Sequence, residues 1–306
     1  MAFLYSVITS SIQLIAYHTN RAMHSRLLAR LAQSLGSHQA TLEFKWMGQA
    51  LKTKHATASL EEMVNRRARG EPLQYILGTQ PFGPLNLLTR PPVLIPRPET
   101  EHWALKFAEK CRPVQGVHKS LLDLGTGSGC IPLLLCRLWP QGSLSATGVD
   151  ISPHALSLAN ENAALCGIPP RSDSMTPRNT FRTSLANFLA NDFPGTHLSS
   201  ALPIDILISN PPYIPWDEYL ELPESVVNFE DPKALFGGPS GLEHYEAIAR
   251  LLTRPGIFNT GAVVALEVGH RQAETVEGLL RSTGRIRSSE IWTDPWGKER
   301  TVIGYM

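Results

Sequence analysis

The sequence predicts an α/β fold: a mostly parallel sheet, closed by a C-terminal antiparallel hairpin and preceded by a small helical domain. Three observations carry this. Apolar strands alternate with helices from Ser120 onward. A glycine-rich turn, Gly125-Thr126-Gly127-Ser128-Gly129, stands where the first strand meets the first helix. The last two strand-like runs are separated only by a short Asp-Pro-Trp-Gly stretch.

The elements follow in order. Residues 41–69 read as helical, with Leu42, Trp46, Leu51, Leu60, Met63 and Val64 at helical spacing. Gly70-Glu71-Pro72 ends that pattern, and residues 81–95, punctuated by Pro and Gly, read as a linker with short extended pieces. Ser120–Leu124 is a strand, Cys130–Leu138 a helix and Leu144–Asp150 a strand. Pro153–Cys166 is a helix with Ser152 as its cap. Ile204–Ser209 and Gly261–Val268 are strands, and Gln272–Ser282 is a helix. Ile286–Thr293 and Thr301–Tyr305 form the hairpin, around which Trp292 and Trp296 are expected to pack. Pro169–Asn179 reads as a solvated insertion.

Composition narrows the function. With 28 Lys and Arg against 27 Asp and Glu, the chain does not bind by blanketing phosphates, and no direct nucleic-acid partner is expected. The 42% hydrophobic and 18% charged content is that of a globular protein. No run is long and apolar enough for a bilayer, so no membrane partner is expected. Cys111, Cys130, Cys136 and Cys166 lack metal spacing and read as reduced thiols. His102, His118, His154, His244 and His270 read as surface or loop residues, and no metal site is expected. Met1–Leu42 contains no acid but carries Arg21, Arg26 and Arg30. That is the composition of a mitochondrial presequence, here assigned to residues 1–40, with a plain N-terminal helix as the alternative.

Two motifs carry chemistry. Asp123-Leu124 leads into the glycine turn, whose glycines let the backbone turn sharply and approach a ligand. Asp150 ends the next strand, where an acid can hold nucleoside hydroxyls. The dinucleotide fingerprint needs a sixth-position glycine, and Cys130 stands there. A cationic cofactor without phosphate, S-adenosylmethionine, suits the acid-led turn better. The second motif, Asn210-Pro211-Pro212-Tyr213, follows the strand Ile204–Ser209. Two prolines cannot continue a central strand, so they form a stiff cup at its end. An amide NH2 can donate there to the Asn210 side-chain oxygen and the Pro211 carbonyl. Acceptors on both hydrogens would orient a delocalised, weakly nucleophilic nitrogen and stabilise its developing charge. Together the motifs predict methyl transfer to a planar amide or amine nitrogen.

The chain resembles the glutamine N5-methyltransferases of peptide chain release factors, in their two-domain form. The resemblance runs from about Leu42 to Tyr305. It rests on Gly70–Gly78, on Val93–Glu101 with its Arg-Pro-Glu-Thr-Glu, on Asp123–Gly129 and on Asp150. Asn210–Tyr213, Leu266–Gly269 and Asp294–Arg300 complete it. It implies a Rossmann-like class I methyltransferase sheet over residues 96–306, a helical domain over 41–80 and the cofactor S-adenosylmethionine. The implied substrate is the glutamine of a Gly-Gly-Gln loop in a release factor. Asn210, Pro211, Pro212 and Tyr213 would hold that glutamine, with Asn210, Pro211 and Tyr213 nearest the chemistry. Asp123, Leu124, Gly125, Thr126, Gly127, Gly129, Asp150 and Asn210 would hold the cofactor. Asn191-Asp192-Phe193 is matched to the acid-aromatic pair at the adenine pocket, so Asp192 and Phe193 join that set. Arg97 and Glu99 either close the site or form a structural salt bridge. A mitochondrial location is implied, with bacterial cytoplasm as the alternative. The other readings of the chemistry are an adenine-N6 nucleic-acid methyltransferase, which would need a flipped base and a basic channel, and an idle fold that only binds its partner.

Overall fold

The computed structural model describes residues 21–52, 58–172, 175–198 and 201–306. The chain divides into two compact units, residues 1–78 and 79–306.

In the first unit, α1 (helical over 21–35), α2 (Ser37–Ala50), α3 (Leu60–Ala68) and α4 (Leu73–Leu77) bury Leu27, Leu31, Ala40, Met47, Met63, Val64 and Ile76 together. Ser59 caps α3 by accepting from the Glu62 amide. Glu43 is buried but paired with Arg67 at 2.6 Å, so its charge is compensated. Residues 21–40 belong to this fold, so position 40 is not a boundary of it. The expectation for residues 1–20 lies outside the described residues.

The second unit begins at Thr79, earlier than the boundary near residue 95 expected from the sequence. Residues 81–95 are not a free linker. β1 (Thr79–Phe82) and β2 (Leu85–Leu88) form a hairpin. The side chain of Asn162 clamps it, accepting from the Leu88 amide at 2.7 Å and donating to the Leu88 and Ser128 carbonyls.

The main sheet has seven strands. They are β3 (Lys119–Leu124), β4 (Leu144–Asp150), β5 (Thr180–Leu185), β6 (Ile204–Ser209), β7 (Phe258–Glu267), β8 (Ser288–Thr293) and β9 (Glu299–Tyr305). Their spatial order is β5-β4-β3-β6-β7-β9-β8. β3, β4, β5, β6 and β7 are parallel, while β9 runs antiparallel to both β7 and β8.

Period-two alternation feeds two cores. Leu121, Ile206, Ile208, Ala265 and Ile303 face one cluster, joined by α5 (Pro98–Lys110), α6 (Cys130–Leu138) and α7 (Pro153–Leu165). Leu122, Leu207, Val264, Leu266 and Val302 face the other, with α11 (Glu243–Leu252) and α12 (Ala273–Ser282). Three short helices, α8 (Trp216–Tyr219), α9 (Glu224–Val227) and α10 (Pro232–Leu235), follow β6. Trp292 is buried in the hairpin as expected, but Trp296 is 67% exposed at its turn and packs no core. The insertion 169–179 ends in a buried residue rather than a solvated one. Asn179 accepts from the Ser143 and Leu144 amides and donates to the Cys136 and Trp139 carbonyls, pinning β4 to the end of α6.

Candidate functional site

Strand register brings the site together. Leu124 pairs with Val149 on one side and Ser209 on the other. The next residues are therefore Gly125, Asp150 and Asn210, side by side at the carboxyl edge of the sheet. Leu185 pairs with Asp150, which adds Ala186 and the residues after it to the same edge. Strand order reverses between the parallel β3 and β6, the switch point where open α/β sheets leave a crevice. A cavity of about 280 Å³ lies there, lined among others by Gly125, Gly127, Asp150, Phe188, Asn210 and Pro212.

The glycine turn is built by positive φ at Gly125, Gly127 and Gly129, of 71°, 54° and 78°. The amides of Gly125 and Thr126 both donate to the Val149 carbonyl, at 2.8 and 3.0 Å. Beneath the turn, Asp123 is 1% exposed. Its Oδ2 accepts from the Thr126 hydroxyl at 2.7 Å, while its buried Oδ1 has no hydrogen-bond partner. Burial drives the Asp123 carboxyl up to about 7; the Thr126 hydroxyl opposes this and the Asp150 charge adds to it. Asp150 lies at the rim and accepts from the Gly127 and Ser152 amides, both at 2.9 Å. Its carboxyl is also raised, by burial first, with those amides pulling the other way.

Asn210 is half-buried, and its Nδ2 donates to Thr100 Oγ1 of α5 at 3.2 Å. Thr100 in turn donates to Glu267 Oε2 at 2.7 Å, and the Trp103 indole reaches the same oxygen at 2.7 Å. Pro211 is buried, whereas Pro212 faces the cavity. Tyr213 packs into the second core, its carbonyl accepting from Gln272 at 3.0 Å and its hydroxyl pushed well above its usual range by burial. The loop carrying these residues is held close by chain that only glycine permits. A Cβ at Gly237 would sit 2.7 Å from Tyr213 Cα, and one at Gly241 would sit 2.5 Å from the Tyr213 carbonyl oxygen.

The match of Asp192 and Phe193 to the cavity does not hold. Phe193 is buried in the second core, and its carbonyl accepts from Arg254. Asp192 is exposed, and neither residue lines the cavity. β5 ends at Leu185, so residues 186–189 follow at the sheet edge, and Asn187 and Phe188 line the cavity instead. The signal was a strand with few apolar residues, Thr180–Leu185, directly before them. His244, read from sequence as a surface or loop residue, stands on α11 and lines the cavity with Phe188, ring centroids 5.6 Å apart. Burial holds its imidazole below the ordinary histidine range. Arg97 forms a salt bridge at 2.6 Å with the buried Glu230, on a segment whose Asp231 amide donates to the Pro92 carbonyl. No metal-binding cluster is present among the described residues.

The family model described as PrmC N-terminal domain matches residues 29–78, and that of ribosomal protein L11 methyltransferase (PrmA) matches residues 99–193. A release factor glutamine methyltransferase of Moorella thermoacetica is 36% identical over 244 residues, 80% of this chain and 78% of that protein. One from Nitratidesulfovibrio vulgaris is 37% identical over 243 residues, 79% of this chain and 75% of that protein. Among solved structures, the hMettl16 catalytic domain in complex with an RNA hairpin superposes with a TM-score of 0.50 at 16% identity, covering 79% of this chain and 81% of that one. That likeness is one of fold.

The buried Asp123 makes stability depend on pH. Its folded value of about 7 lies above the 3.8 of an unperturbed aspartate, so the unfolded chain ionises first. The penalty sets in as pH rises past 3.8 and is complete above about 7. Asp123→Asn should therefore raise the melting temperature more at pH 8 than at pH 5, by thermal denaturation of both proteins. An equal effect at the two pH values would contradict a raised carboxyl.

Proposed function

The chain belongs to the release factor glutamine methyltransferases, and on that premise we propose that it methylates the glutamine side-chain amide of the Gly-Gly-Gln loop of a peptide chain release factor. The observation that carries the reading is the meeting of the glycine turn, Asp150 and the Asn-Pro-Pro-Tyr loop at one cavity.

S-adenosylmethionine is the cofactor, and the residues present fit it. The unpartnered Asp123 Oδ1 beneath the glycine turn suits an ammonium group. The Asp150 carboxylate keeps lone pairs for ribose hydroxyls beyond the two amides that it accepts. Phe188 and Ile151, with Val93 and Leu94, give an apolar wall for a purine. Asp123, Leu124, Thr126 and Gly129 lie in or beneath the turn rather than line the cavity. When bound, S-adenosylmethionine supplies an electrophilic methyl group on a sulfonium.

The remaining work falls to the chain. Asn210 Oδ1 and the Pro211 carbonyl accept the two hydrogens of the substrate amide and turn its nitrogen toward the donor. Two fixed acceptors also favour the positive charge that grows on nitrogen during transfer. The stiffness of Pro211-Pro212, with Tyr213 anchored in the core, holds the acceptors in place, and in-line positioning contributes roughly 7–11 kcal/mol in favourable cases. No base is required, because the proton can leave after transfer.

The test is methyl transfer from labelled S-adenosylmethionine to a release factor whose Gly-Gly-Gln glutamine is intact or changed to alanine. Label should enter only the intact factor, and Asn210→Ala should lower the rate about 100-fold or more, as when one fixed polar group that stabilises a transition state is removed. Label entering adenine of single-stranded nucleic acid, and not the factor, would favour the adenine-N6 reading.

The acid-free start supports a mitochondrial address, but its Arg21, Arg26 and Arg30 stand on the folded α1; the relatives named above are bacterial, which supports the bacterial cytoplasm instead. Residues 1–40 fused to a reporter should enter isolated mitochondria on the first reading and remain outside on the second.

A further inference from the structure

An asparagine side chain is nearly symmetrical in shape, so Asn210 can serve the substrate amide only if its oxygen, and not its NH2, faces the cavity. We infer that Glu267 and Thr100 are positioning residues that fix this choice and thereby let the site distinguish glutamine from glutamate. The inference rests on the substrate reading above.

Glu267 Oε2 sits 2.7 Å from the Trp103 indole nitrogen, which can only donate. The same oxygen lies 2.7 Å from Thr100 Oγ1. A carboxylate accepts at both contacts, so the single hydroxyl proton of Thr100 is committed to Glu267. Thr100 then has only lone pairs left for its other neighbour, Asn210, 3.2 Å away. Asn210 must turn its NH2 toward Thr100, and its Oδ1 is left for the cavity.

The machinery is buried where water cannot scramble it. Thr100 is 1% exposed and Glu267 2% exposed. The Glu267 backbone is held too, because its carbonyl accepts from the Tyr245 hydroxyl at 2.9 Å. Register places the carboxylate correctly, since Ser209 pairs with Leu266 and Glu267 therefore adjoins Asn210.

The chemical consequence is selectivity. A glutamine brings an NH2 to an oxygen acceptor, whereas a glutamate brings a carboxylate oxygen to that same acceptor and is repelled. If the asparagine were free to turn, its NH2 could receive the glutamate and the distinction would weaken.

The test compares Thr100→Val, which keeps the shape and loses the hydroxyl, with Thr100→Ser, which keeps the hydroxyl and loses the methyl. Thr100→Ala, which cannot clash, is measured beside them, all below their melting temperatures. Two quantities are read: kcat for the Gly-Gly-Gln release factor, and the ratio of its affinity to that of the same factor carrying Gly-Gly-Glu. Thr100→Val and Thr100→Ala should lower kcat about tenfold and the affinity ratio by a similar factor, and Thr100→Ser should stay within about threefold of wild type. Wild-type values in Thr100→Val and Thr100→Ala, or a loss in Thr100→Ser as large as theirs, would overturn the relay. A wild-type enzyme that methylates neither factor would instead overturn the substrate reading, and the relay's purpose with it.

Discussion

One buried carboxylate ties the site to the fold. Glu267 ends β7, takes the Thr100 hydroxyl and the Trp103 indole from α5, and offers its backbone carbonyl to Tyr245 of α11. A helix on each face of the sheet is thereby fastened to the strand beside Asn210. Burial pushes the Glu267 carboxyl above its usual range, while the Thr100 and Trp103 donors and the Arg300 charge pull it down. A buried charge without those donors would cost several kcal/mol. The donors are thus a condition of having the acid there at all, and the orientation of Asn210 follows from the same condition.

The second constraint is register. In a parallel sheet the carboxyl ends of neighbouring strands lie side by side, so whatever follows each strand shares one edge. Here three different sequences, an acid-led glycine turn, a lone aspartate and an asparagine before two prolines, meet because Leu124 pairs with Val149 on one side and Ser209 on the other. The polar members, Asp150 and Asn210, are each held at the end of a largely apolar strand.

This logic explains what was legible in the sequence. β4 and α6 were visible to the residue, because their apolar runs end at glycine, aspartate or proline. The glycine turn and the Asn-Pro-Pro-Tyr loop were visible because few other chemistries need those residues in that order. What was missed lacked an apolar signal. β5 is an edge strand with Arg182 and Thr183 along it, so its pattern carries no strand signal, and the acid-aromatic match falls five positions past the residues at the cavity. α5 supplies Thr100, yet its sequence mixes charged and apolar residues and carries no motif for its contact with Glu267. Gly237 and Gly241 show their role only when the chain is seen folded against Tyr213. Such roles depend on distance in space, and spacing along the chain does not encode it.

The central claim is that the Asn-Pro-Pro-Tyr loop reads a carboxamide through fixed acceptors beside the cofactor cradle. It is tested most directly by a crystal structure of the protein with S-adenosylhomocysteine and a Gly-Gly-Gln peptide. The account predicts the glutamine side-chain nitrogen within hydrogen-bond distance of both Asn210 Oδ1 and the Pro211 carbonyl, with Asn210 Nδ2 still on Thr100. A glutamine bound elsewhere, or an Asn210 with its NH2 turned into the cavity, would contradict it.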